Sequence, residues 1–352
     1  MGEWNMKKTR IFLLVLVIVM VTSVFAGCGK SVNSANDTET GSSNQANTEQ
    51  KEIKSASEYG VTLNKNSVVF TDARGKKVTI KKNPKRVICL YNSYLDIWDS
   101  CGGKVIGRVE EAEEKPVKNA ESAQVVGTPG SPSLEKILAL KPDLVIATDE
   151  FKNQAAMVPV LEQNNIQVIA LANTYLKDYY MTLRLFSGIT GKEDLYKKYL
   201  TKVKKNVDKI ITEAPKNKKY KILIIFATAK GITVRNSNSM LGEMLKDLHT
   251  VNVSDTEADS SEAKVFSMEK IIQENPDFIF VQAMGSDKEK IMEKLKEDVE
   301  NNPAWSSLDA VKNKRYIILP KDLYLYKPNA RYAEAYEGLA KILYPDVFNK
   351  AN

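Results

Sequence analysis

At 352 residues the chain has room for two domains, each able to bury its own core. Its 43% hydrophobic and 27% charged residues are the balance of a soluble globular protein. The formal net charge of +7 is spread over lysines interleaved with acidic residues, with no RNP-like run, zinc-finger spacing or basic-aromatic stripe, so nucleic acid is excluded as a partner. One histidine, His249, excludes a metal site built from several imidazoles and leaves a Ser-His-Asp triad this one candidate. It stands in "LKDLHTVNVSD", which reads as a helix end running into a surface turn, a structural position.

The chain opens with "MGEWNMKKTR", the apolar run "IFLLVLVIVMVTSVFA" and then "GCGK". A basic head, an apolar stretch short for a transmembrane helix and small residues at its end make a secretory signal over residues 1–27. Cys28 after Ala26 and Gly27 resembles a bacterial lipoprotein processing site, with Phe25 where such sites usually carry Leu. That resemblance implies a diacylglyceryl group on Cys28 and a membrane anchor; a plain signal peptide or an uncleaved anchor is the alternative. The stretch "GKSVNSANDTETGSSNQANTEQKE" holds almost no large apolar residue, so residues 28–60 read as an anchored Cys and a disordered linker.

Next, "SVVFTDARGKKVTI" reads as a hairpin turning at Ala73-Arg74-Gly75. "NPKRVICLY" is a buried strand, "LDIWDSCGG" a helix ended by two glycines, and "KVIGR" a short strand. Cys89 reads as a buried small hydrophobe, and the spacing leaves a disulfide with Cys101 open. Helix "LEKILAL", a break at Pro142 and strand "DLVIAT" follow, then helix "NQAAMVPVLEQNN" and strand "IQVIAL". This alternation predicts a parallel sheet with helices on both faces. "EDLYKKYLTKVKKNVDKIITEAP" places Leu195, Tyr199, Val203, Val207 and Ile211 four apart on a helix of about 30 Å, stopped by Pro215. It is either an amphipathic helix packed on one domain or a spine joining two.

The α/β pattern then restarts. Strand "KILIIFAT", helix "SMLGEMLKDL", helix and strand "SMEKIIQENPDFIFV", helix "DKEKIMEKLKED", strand "RYIILP" and a last helix ending at Pro345 follow in order. "SLEKILALKPDLVIA" and "SMEKIIQENPDFIFV" share Ser-apolar-Glu-Lys-Ile, with Pro-Asp starting seven residues after the Glu. The repeat argues for two related α/β units.

In order and spacing, "NPKRVICL", "GTPGSPSLEKILALKPDLVIA", the long helix, "SMEKIIQENPDFIFV", "NNPAWSSLDAVKNKRYIILP" and the final helix resemble the substrate-binding lipoproteins of ABC importers for ferric siderophores, haem and vitamin B12. The likeness runs from about Val68 to Phe348. It implies two Rossmann-like α/β lobes joined by one long helix with the ligand cleft between them: an N-terminal lobe over 61–177, a helical connection over 178–215 and a C-terminal lobe over 216–352. It also implies that Glu135 and Glu269, one per lobe, dock on a permease dimer powered by a cytoplasmic ATPase, with the protein monomeric. Each Glu falls in the first turn of a helix, where a carboxylate is favoured, and Ile137, Leu138, Ile271 and Ile272 should face away from it.

Ligands of open α/β sheets bind beyond the carboxyl ends of the strands. The residues expected there are Tyr91, Asn92, Tyr94, Glu150, Arg235, Met240, Tyr324, Tyr326, Lys327 and Arg331. Their chemistry points to an aromatic or anionic ligand: Arg235 and Arg331 offer forked donors, and the tyrosines offer flat faces and hydroxyls. "YLYKPNARY" has the alternative role of tying the last helix to its lobe. A ferric siderophore brings its own iron ligands and needs no metal site in the protein; haem, with Tyr94 or Met240 on iron, or a corrinoid is the alternative within the family. No intrinsic cofactor is expected. "FSGITGKED" lacks the spacing and the Ser/Thr of a phosphate loop, "CGGKVIGR" is no dinucleotide fingerprint, and no G-x-S-x-G elbow is present. A hydrolase, or an adhesin or sensor on a similar scaffold, is the competing class.

Overall fold

The computed structural model describes residues 57–111, 115–255, 263–265 and 267–349. The signal segment, Cys28 and most of the expected linker lie outside the described residues. The folded body starts earlier than the expected boundary at 61, because strand Ser57–Glu58 pairs antiparallel with Val61–Leu63. Among the described residues no helix is long and apolar enough to cross a membrane.

The N-terminal lobe holds a four-stranded antiparallel sheet ending in the hairpin Ser67–Thr71/Lys77–Lys81. Beside it lies a five-stranded parallel sheet ordered Gln167–Leu171, Leu144–Thr148, Val87–Cys89, Gly107–Arg108, Gln124–Val125. Helix Leu176–Thr190 packs on the antiparallel sheet at Gly188, where a Cβ would come 2.5 Å from the Leu63 side chain.

The C-terminal sheet is mixed rather than parallel. Lys221–Thr228, Phe278–Met284 and Tyr316–Ile318 run parallel, but Gly231–Arg235 folds back antiparallel on Lys221–Thr228. The sequence expectations place no strand between "KILIIFAT" and "SMLGEMLKDL"; the β-branched residues of "GITVR" and the turn at Gly231, φ +156°, make it a hairpin strand. Pro345, expected as a terminus, opens a further short helix, Pro345–Phe348, after Tyr332–Leu343.

Strand alternation divides the core. In Leu144–Thr148, Leu144 and Ile146 face inward while Val145 and Ala147 face the outer helices; in Lys221–Thr228, Ile222 and Ile224 face inward while Leu223 and Ile225 face outward. The two outer faces form separate clusters, but the inner faces of both lobes join one continuous core. That shared core runs through Trp98, Tyr179, Val203, Val207, Phe280 and Tyr336. Helix Glu193–Glu213, 21 residues long, is its spine and contacts both Leu176–Thr190 and Tyr332–Leu343. Its buried face is Tyr196, Val203, Val207 and Ile210; Leu195, Tyr199 and Ile211 from the expected stripe are only half-buried. Strict steps of four advance 40° each on a 3.6-residue helix, so such a stripe wanders off the packed face. A core shared across lobes opposes wide hinge opening, since separation would expose it to water.

The repeated junction has one structural meaning in both lobes. Lys141 (φ +46°) and Asn275 (φ +43°) stop their helices in the left-handed region, Pro142 and Pro276 follow, and the next Asp accepts from backbone amides at the start of the neighbouring parallel strand. Asp143 accepts from the amides of Lys85 (2.7 Å) and Arg86 (2.9 Å), and Asp277 from that of Lys221 (2.8 Å).

Candidate functional site

A cavity of about 850 Å³ opens between the lobes, with walls from both. The N-terminal lobe supplies Tyr91, Asn92, Glu110, Glu111, Lys115, Glu150 and Phe151; the C-terminal lobe supplies Phe226, Arg235, Met240, Gln282 and Met284; the late segment supplies Leu325, Tyr326 and Lys327. A second, mainly apolar hollow of about 540 Å³ around Ile291, Met292 and Ile318 is lined by C-terminal lobe residues alone. The cavity with walls from both lobes is the candidate site, because its occupancy depends on the lobes' relative position.

Tyr91 lies two residues beyond strand Val87–Cys89 and is the N-cap of helix Asn92–Ser100. Its ring meets Tyr94 at 5.0 Å and Phe151 at 5.9 Å, both edge-on, and burial, aided by the Glu150 charge, pushes its phenol pKa well up. The residue therefore presents a neutral aromatic wall. Opposite it, the inward phase of the C-terminal strands runs on from core to cavity: Ile222 and Ile224 lead to Phe226, and Phe278 and Phe280 lead to Gln282 and Met284. The Arg235 guanidinium lies 4.2 Å over the Phe226 ring. Met240 opens helix Met240–Asp247, whose Gly242 passes so close to Asn236 that a Cβ would fall 2.2 Å from its carbonyl oxygen.

The segment Tyr326–Arg331 ties the C-terminal lobe back to the N-terminal one. Lys327 Nζ lies 3.3 Å from Glu150 Oε1, and Lys115 Nζ donates to the Lys327 carbonyl at 2.5 Å and pairs with Asp96 at 3.3 Å. Burial pulls the Lys115 pKa down against the opposing pull of Asp96. Asn329 Nδ2 donates to the Ser93 carbonyl and to Asp96.

Seven of the ten residues expected at the cleft line this cavity: Tyr91, Asn92, Glu150, Arg235, Met240, Tyr326 and Lys327. Tyr94 does not, being fully buried beneath Tyr91, where it cannot reach an iron atom in the cavity without rearrangement. Tyr324 turns away: its hydroxyl donates to the Ala335 carbonyl at 3.0 Å beside Gly338, while its own carbonyl accepts from Gln282. Arg331 lies outside the lining and is held by Glu334 through two bonds of 2.8 and 2.7 Å and by Asp322 at 2.7 Å. Both belong to the tie that "YLYKPNARY" had as its alternative. Sequence reading missed Phe226, Gln282 and Met284, which extending the i, i+2 phase of their strands would have found. It also missed Glu110, Glu111 and Lys115, since the strand before them, Gly107–Arg108, is two residues long and its end was not flagged.

Glu135 and Glu269 are both exposed, in the first turns of Leu134–Ala139 and Met268–Glu274, with no ion pair to a described residue. Ser133 Oγ caps the first helix by accepting from the Lys136 amide at 3.3 Å. Ile137 and Ile271 are buried as expected and Leu138 is half-buried; Ile272 is exposed, because the short second helix rests on the lobe along one line only. Cys89 and Cys101 are both buried free thiols. No group of three or more His, Cys, Asp or Glu able to hold a metal ion occurs among the described residues.

The chain is 28% identical over 303 residues to the Fe(3+)-citrate-binding protein YfmC of Bacillus subtilis, covering 83% of this chain and 89% of that one. It is 28% identical over 270 residues to the iron(3+)-hydroxamate-binding protein FhuD of the same organism, covering 74% and 81%. Among solved structures, Staphylococcus aureus SirA complexed with staphyloferrin B shares the fold with a TM-score of 0.62 at 24% identity, covering 80% of this chain and 97% of that one. The model of the Periplasmic binding protein family matches residues 87–323, and the chain belongs to that family.

Proposed function

We propose that the protein is the extracytoplasmic binding component of an ABC importer, capturing a ferric chelate between its lobes and delivering it to a membrane permease with a cytoplasmic ATPase. The observation that carries this reading is the cavity of about 850 Å³, walled by Tyr91, Phe151, Phe226, Met240 and Tyr326 and shared by both lobes. Its size and aromatic faces suit a bulky chelate that supplies its own iron ligands. The likeness to relatives named for Fe(3+)-citrate and iron(3+)-hydroxamate supports an iron complex as cargo. Lipid attachment at Cys28 would hold the body at the outer face of the cytoplasmic membrane, raising its effective concentration at the permease. Glu135 and Glu269, exposed and one per lobe, would meet permease arginines.

The test is titration of tyrosine and tryptophan fluorescence with ferric hydroxamates, ferric citrate, ferric catecholates, haem and cobalamin. Saturable binding of a ferric chelate upholds the reading. Binding of haem or cobalamin alone moves the cargo to a macrocycle, for which Met240 and Met284 are the soft ligands on the wall. Failure of all five refutes it.

A further inference from the structure

Among the described residues six charged side chains line the cavity, and their formal charges cancel: Glu110, Glu111 and Glu150 against Lys115, Arg235 and Lys327. The cations are engaged within the protein. Lys327 is 3.3 Å from Glu150, and Lys115 is 3.3 Å from Asp96 while donating to the Lys327 carbonyl. The Arg235 guanidinium lies over the Phe226 ring. Glu111 stands 3.4 Å from Arg108 and accepts from the Val117 amide at 2.9 Å. Glu110, exposed to the cavity, has no ion pair with a described residue. Arg331, the other cation that sequence reading brought to the cleft, is committed to Asp322 and Glu334 outside it.

A ligand carrying several negative charges loses its hydration on entering such a cleft and must be repaid by cations with charge to spare. Here each lysine would have to leave a carboxylate, Glu150 losing its ion pair and Asp96 keeping only its bond from Asn329, and the approaching anion would face Glu110. A neutral or singly positive complex meets neither cost. Its apolar periphery packs on the rings of Tyr91, Phe151 and Phe226, and a positive charge gains from those faces and from Glu110.

We infer that the cavity selects ferric complexes of net charge zero or +1, the tris-hydroxamate class, over polyanionic carboxylate and catecholate complexes, with Glu110 favouring the cationic member. The inference rests on the ferric-chelate reading above, and it parts from the citrate ligand for which one relative is named.

The experiment is fluorescence titration of the full chain with four iron-loaded probes: a neutral cyclic tris-hydroxamate, a linear tris-hydroxamate of charge +1, ferric citrate and a tris-catecholate of charge −3. The two hydroxamates are expected to bind at least about tenfold more tightly than the other two. Glu110→Gln, a change at an exposed side chain, should reduce the ratio of cationic to neutral affinity about threefold. Citrate or catecholate binding as tightly as the hydroxamates overturns the charge inference and leaves the ferric-chelate reading standing. An unchanged ratio in Glu110→Gln overturns the part given to Glu110. Binding of none of the four overturns both readings.

Discussion

Lys327 Nζ lies 3.3 Å from Glu150 Oε1, joining the segment that leaves the C-terminal lobe to the carboxyl end of an N-terminal lobe strand. The pair is half-shielded at the cavity wall, where an ion pair contributes on the order of 1 kcal/mol. Its larger effect is positional, since it removes both charges from the set a ligand can use. The same segment is fixed two residues on by Asn329, so one stretch of chain both bridges the lobes and shapes the cleft.

Asn329 should be the most sensitive point of that bridge. It is buried, holds φ at +53°, and donates from Nδ2 to the Ser93 carbonyl at 2.9 Å and to Asp96 at 2.7 Å. Asn329→Ala loses both bonds and strains a left-handed backbone, for an expected loss of about 3 kcal/mol. Asn329→Gly keeps the backbone and should lose about 1 kcal/mol less. Chemical denaturation of the two variants measures the difference; equal losses would mean that the backbone conformation contributes nothing.

Replacing Glu135 and Glu269 together by Ala should leave ligand affinity unchanged and reduce cellular uptake of the iron complex at least about tenfold. Both side chains are exposed and neither lines the cavity. The expectation follows from charge pairs at an interface acting mainly on encounter and register. Uptake equal to the parent's in the double variant would remove the docking role.

Asp247 gives a pH-dependent prediction. Burial raises its carboxyl pKa above the usual value, opposed by the Tyr336 hydroxyl that donates to it at 2.6 Å. A carboxyl with a raised folded-state pKa contributes stability that is present below its unfolded value, about 3.9, and is lost as pH rises through the folded value. Asp247→Asn keeps an acceptor for Tyr336 and removes the charge. The variant should melt higher than the parent at pH 7.5, with the gap narrowing as pH falls toward about 4. A gap that is constant with pH would contradict this.

In a Cys28→Ser background, Cys89 and Cys101 should resist thiol reagents until the protein unfolds. Both are buried; burial pushes the Cys89 thiol to about 12 and raises the Cys101 thiol also. The thiolate is the reactive species, so reaction should track global unfolding in denaturant. Rapid labelling of either thiol in the native protein would place it at a mobile surface.

Much of the architecture was legible because it is written in local periods. The run "DLVIAT" followed by a helix pattern and "IQVIAL" could only be successive strands of a parallel sheet, and the Pro-Asp repeat marked the same junction in each lobe. The repeat's Asp proves architectural, as Asp143 and Asp277 each hold the opening amides of the neighbouring strand. Its Glu remains the exposed half. The spine helix was visible, but its packed face was not, because steps of four drift off the face that Tyr196, Val203, Val207 and Ile210 keep with steps of seven, four and three.

What the sequence determined by itself was the order of strands and helices, the two-lobed plan and the strand ends where a ligand would sit, all set by hydrophobic period and turn residues within a few positions. What only the tertiary structure decided was which side chains reach that space and with what charge left over. Lys327 finds Glu150 177 positions away and Lys115 finds Asp96, while Arg331 is taken by Asp322 and Glu334 and Tyr324 by the Ala335 carbonyl. The first two pairings depend on distances between elements apart in the chain, which no local pattern encodes, and the described lining of the cleft is charge-balanced where the residues expected there looked cationic.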